Sequence, residues 1–149
     1  MNLQNTVTNL GRLVDLRNRE VETLTAELTK HHAVAERYRR NLQRMRDMLV
    51  DVGRSSAGCA VLASNSAHYK ASLVDMISAH RRDLASQETL IEASRVALEN
   101  ATLRRERVDR ALQDKQGALR QERNVRDQKR QDQLALQSWV HARHFATAS

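Results

Sequence analysis

The sequence predicts an all-α fold, a two-helix antiparallel coiled-coil hairpin with an overhanging C-terminal helix, and three observations carry it. The first is an unbroken alternation of four- and three-residue steps from Leu3 to Val52. The second is a pair of glycines, Gly53 and Gly58, where that alternation stops. The third is a composition with no proline among 149 residues, about 3% aromatic and 29% charged side chains, which neither interrupts a helix nor fills a globular core.

The first seam reads Leu3, Val7, Leu10, Val14, Arg17, Val21, Leu24, Leu28, His31, Ala35, Tyr38, Leu42, Met45, Leu49 and Val52, apolar at every step but Arg17 and His31. A 3.5-residue repeat sustained this long is a coiled-coil seam, because the stripe of a straight helix drifts by about 20° per heptad. This is helix 1, about residues 2–52. The turn follows at about 53–60, in Gly53-Arg54-Ser55-Ser56-Ala57-Gly58. Gly11 and Gly117 lie inside heptads, where an isolated glycine weakens a helix without ending it.

Helix 2, about 61–145, carries a second seam: Leu73, Ile77, His80, Leu84, Gln87, Ile91, Ser94, Leu98, Ala101, Arg105, Val108, Leu112, Lys115 and Leu119. It is the more polar of the two. A reversal at Ser55-Ser56 makes facing residue numbers sum to about 111, setting Tyr38 by Leu73, Leu24 by Gln87, Leu49 by Leu62, Arg17 by Ser94 and His31 by His80. The whole chain, 1–149, is then expected to be one elongated domain. Helices of about 50 and 85 residues measure roughly 75 and 130 Å, so some 30 C-terminal residues overhang.

The overhang is distinctive. Residues 121–133 hold one apolar side chain, Val125, and are followed by Leu134, Leu136, Trp139, Val140 and Phe145. A helix polar all round is either solvated or awaits a partner. The net charge is +7, and residues 104–149 hold most of the excess, with 11 Lys and Arg against 6 Asp and Glu.

Chemistry is hard to place on such a chain. There is no phosphate-cradling glycine loop and no nucleophile with a base and a third partner, and a two-helix seam has no cavity to exclude water. The expectation is a protein that is not an enzyme and takes no cofactor and no small-molecule substrate. His141 and His144 lie three apart on one face, but nearby Cys, Asp or Glu to complete a metal site are missing. His31 and His80, at facing seam positions, are candidates for a polar layer that fixes register. Cys59 stands alone, which excludes an internal disulfide and fits a reducing compartment. The N-terminus lacks a basic region followed by an apolar run, and no stretch approaches a bilayer span, so a soluble cytoplasmic protein is expected.

Acidic side chains alternate with the basic ones and stacking aromatics are scarce, which makes nucleic acid the weaker partner. Guanidinium groups fork onto carboxylates, so an acidic protein surface fits better. An oligomerising structural coiled coil is the remaining alternative.

The C-terminal third also resembles a known family. A long helix ending in an Arg/Gln/Lys-rich run with Glu122, Gln128, Lys129, Asp132 and Ala135, and Arg143 beyond, is similar to the FliJ/YscO family of flagellar and virulence type III secretion. Gln133 stands where a second acidic residue is common, and Trp139-Val140 with Arg143 resembles the virulence branch. The resemblance implies a central stalk protein, similar to the γ stalk of rotary ATPases. The end carrying both termini would enter the pore of a hexameric export ATPase, and the remainder would reach the membrane export gate. Chaperones of secreted substrates are further implied partners. The cytoplasmic location would then be peripheral to the inner-membrane apparatus. On this reading Arg120, Arg123, Arg126, Lys129 and Arg130 supply charged contacts to the ATPase pore, and Trp139 supplies the anchor.

Overall fold

In the computed structural model, which describes residues 2–55 and 60–147, the chain forms two α-helices, α1 (Leu3–Ser55) and α2 (Ala60–Thr147). They pack against each other as an all-α helical hairpin. The Asn2 side chain caps α1, its Oδ1 accepting a hydrogen bond from the Gln4 amide at 3.2 Å. Threonines, weak helix formers, are accommodated by donating their hydroxyls back one turn. Thr25 reaches the Val21 carbonyl at 2.7 Å and Thr102 that of Leu98 at 2.9 Å.

Gly53, Arg54 and Ser55, expected in the turn, continue α1, and no described glycine has a positive φ. Residues 56–59, including the expected turn residues Gly58 and Cys59, lie outside those described.

Two compact units are present. In the unit formed by residues 19–102, the best-buried side chains are Ala35, Leu42, Met45, Leu73, Ile77 and Ala101. Leu42, Met45, Leu73 and Ile77 form one cluster, with Leu49 and Leu84 against it. The predicted seam positions of both helices in this unit are buried or half-buried throughout. No charged side chain is buried among the described residues, so apolar area removed from water dominates the packing.

The register corrects the sequence reading by one heptad. Gln87 Nε2 donates to Nδ1 of His31 at 2.7 Å and lies 3.3 Å from the His31 carbonyl oxygen, while the Tyr38 and His80 rings meet edge to face at 5.7 Å. Both pairs have numbers summing to 118, not 111. His31 therefore faces Gln87 rather than His80, and Tyr38 faces His80 rather than Leu73. The reason is geometric. Both seams repeat every seven residues, so a slip of one heptad brings the same stripes back into contact, and α1 runs on to Ser55, past the expected end near 52. Spin labels at positions 45 and 73 should accordingly report a separation close to the 8–10 Å between packed helix axes. Labels at 38 and 73, offset by one heptad, should be about 10 Å further apart along the axis, and the reverse order would restore the earlier register.

Outside the seam the polar contacts are weak. Arg39 bridges α1 to α2 through Glu88 at 3.1 Å, with both side chains about half exposed. Arg95 holds the Glu92 carboxyl below its usual range through hydrogen bonds at 2.8 and 3.1 Å. Exposed pairs of this kind add little to stability.

The second unit combines residues 1–18 with 103–149. On α1, Leu3, Val7, Leu10 and Val14 are half-buried, as are Arg105, Val108, Leu112 and Leu119 on α2, while Lys115 is exposed. Gly11 and Gly117 belong here, and a Cβ built on either meets nothing within 4 Å. Gly11→Ala and Gly117→Ala should each therefore raise stability by about 0.5–1 kcal/mol, seen as a higher thermal midpoint by circular dichroism. A fall would mean that close approach of another element requires the glycine.

Candidate functional site

From Arg120 to His144 every residue of α2 is exposed. The cause is local composition. The a and d positions, mostly apolar up to Leu119, become Glu122, Arg126, Lys129 and Gln133, side chains that gain nothing from burial against an apolar stripe. Helix persists because Gln, Arg, Lys, Ala and Leu are strong helix formers and spaced charges support it. Glu122 accepts a hydrogen bond from Nη2 of Arg126 at 2.9 Å across one turn.

The residues singled out from the sequence fall in this exposed segment. Arg120, Arg123, Arg126, Lys129 and Arg130 lie within three helical turns and form a cationic band. Trp139 lies beyond it and is 59% exposed, an unusual state for so large an apolar residue. Leu134, Leu136 and Val140 are exposed around it.

A contact not foreseen from the sequence stabilises this tip. The Arg143 guanidinium lies 4.8 Å from the centre of the Trp139 ring, in cation–π range. The i, i+4 spacing was the available signal. Stacking holds the indole against the helix and lowers the entropy lost when a partner covers it. Shallow depressions border the tip, one lined by Trp139, Val140, Arg143 and His144, the other by Gln133, Leu136, Gln137, Val140 and His141.

A second surface feature lies in the other unit. A groove of about 290 Å³ runs between Arg44, Met45 and Met48 of α1 and Tyr69, Leu73 and Met76 of α2. Met48, Tyr69 and Met76 flank the seam, each close to half exposed. Flanking positions that are apolar where charge is usual were the signal overlooked in the sequence.

Among the described residues no group of three or more His, Cys, Asp or Glu is placed to hold a metal ion. No helix of the described residues is long and apolar enough to cross a membrane. The segment can therefore offer charge-assisted hydrogen bonds to carboxylates and an apolar aromatic contact at its end.

The sequence model of one protein family, described as Flagellar FliJ protein, matches residues 6–144. Comparison with curated proteins gives no match, nor does comparison with solved structures.

Proposed function

We propose that this chain, which belongs to the FliJ family, is the central stalk of its export apparatus and couples a hexameric ATPase to the membrane export gate. Membership of the family makes it a component of flagellar-type, type III protein export. The observation that supports the finer reading is the segment from Arg120 to His144, helical yet exposed at every residue, cationic first and apolar at its end. Such a segment is built to be covered.

In the proposed mechanism Arg120, Arg123, Arg126, Lys129 and Arg130 contact acidic groups in the ATPase pore, and Trp139 anchors the tip. The chain's action is non-covalent. A single helix in a six-fold ring cannot meet all subunits alike, so it favours different nucleotide states in different subunits, a population shift through unequal contacts. Contacts with the export gate and with secretion chaperones belong to the same proposal. The protein acts by binding rather than as an enzyme.

The test is addition of the purified chain to the purified export ATPase of the same secretion system. ATP hydrolysis should accelerate and saturate at one chain per hexamer by native mass spectrometry. A chain that neither binds the hexamer nor changes its rate would overturn the proposal.

A further inference from the structure

We propose that the ATPase meets this chain with an α-helix of its own, packed along one face of residues 123–140, acidic beside the cationic band and apolar beside the tip. This rests on the stalk reading above and says what surface the partner must present.

The face is defined by phase. In this unit the inward a and d positions of α2 include Arg105, Val108, Leu112 and Leu119, all half-buried. Carried forward without a break, the same frame assigns Arg126, Gln133 and Val140 to a, Glu122, Lys129, Leu136 and Arg143 to d, and Arg123, Arg130 and Gln137 to e. In the 3.5-residue repeat of packed helices these positions lie within about 50° of a single line along the helix. The stripe that packs earlier in the unit thus continues exposed to solvent, first largely cationic and then apolar. Arg120, at b, and Trp139, at g, lie just outside its two edges, Trp139 beside the apolar part.

The surface has the relief that helix packing needs. Gln133, Leu136, Gln137 and Val140 are spaced i, i+3, i+4 and i+7, the four corners of a hole that receives one side chain from a facing helix, and they line a depression there. The cationic band can exchange its own weak intrahelical pair, Arg126 with Glu122 at 2.9 Å, for partner carboxylates. A second copy of this chain cannot meet both requirements at once. Side by side in parallel it sets like charges together, and in antiparallel it sets a cationic band against an apolar tip.

The experiment compares two variants with the same change in charge, each measured for binding to the purified export ATPase hexamer. Arg123→Glu with Arg130→Glu alters the proposed face. Gln121→Glu, Asn124→Glu, Gln131→Glu and Ser138→Glu together alter the opposite side, at c and f positions. Circular dichroism checks that both retain helix. The first should lose about tenfold or more in affinity, and the second should stay within about twofold of wild type. Equal losses, or no loss in either, would overturn the one-faced contact while leaving the stalk reading intact. Failure of the wild-type chain to bind the hexamer would overturn the stalk reading itself. A photo-crosslinker in place of Lys129 adds an independent readout: an adduct with the ATPase is expected, and an adduct between two copies of this chain would overturn the proposal.

Discussion

Leu73→Ala is expected to lower the free energy of unfolding by about 2 to 3 kcal/mol, the largest stability loss of any single truncation proposed for this chain. Leu73 is 4% exposed and packs in a cluster with Leu42, Met45 and Ile77. Removing its three terminal carbons loses their transfer free energy and leaves a gap that the helices cannot fully close. Met48 and Met76, unbranched and beside the groove, can swing partly into that gap. Their relaxation keeps the loss toward the lower part of the range seen for buried leucines. Leu136→Ala is the matched control, with the same chemistry at a side chain 65% exposed, and should cost under about 0.5 kcal/mol. Urea titrations followed by circular dichroism would measure both. Equal, small shifts would show that the Leu73 cluster does not hold the helices together.

What the sequence made legible was periodicity. The seam positions named from Leu3 to Val52 are all at least half-buried, and those from Leu73 to Leu119 fail only at Lys115. Lys115 illustrates why. Its long stem can carry the ammonium out to water, so a d position near the end of a seam does not force burial. Register was not legible, because a heptad pattern is unchanged by a shift of seven and only particular pairs, Gln87 with His31 and His80 with Tyr38, distinguish the alternatives. Hydrophobic matching treats those pairs as defects. They are the layers with directional contacts. The end of α1 was placed a few residues early for a related reason. Gly53 costs a helix only about 1 kcal/mol relative to alanine, less than continued packing beyond Leu49 can return, so it remains in α1.

The candidate site was legible as the loss of the apolar seam. From Glu122 to Gln133 the a and d positions turn polar, and the structure exposes every residue there. The stacking of Arg143 on Trp139 was legible in principle from spacing alone, but an i, i+4 pair joining a cation to an aromatic is one of several rotamer outcomes, and sequence does not select among them. The groove beside Met45 required coordinates, since it depends on which flanks of the two helices face each other.

Trp139→Ala is expected to weaken association with the export ATPase by roughly 2 kcal/mol or more, about a 30-fold rise in Kd. Trp139 is 59% exposed in the free chain, so truncation removes little intramolecular packing beyond the Arg143 contact and circular dichroism should be nearly unchanged. The loss falls on the bound state alone. An indole covered by a partner contributes a large apolar area, and here the ring is already steadied by the Arg143 guanidinium at 4.8 Å. Arg143→Ala should therefore weaken binding by a smaller step, about 0.5–1 kcal/mol for an exposed cation–π contact. Trp139→Phe should recover part of the loss by restoring an aromatic ring of smaller area. The order, alanine weakest and phenylalanine intermediate, separates an anchor from a solvated helix end. If isothermal titration gives Trp139→Ala the wild-type affinity, the tip is not in the interface, and the contact must be confined to the cationic band between Arg120 and Arg130.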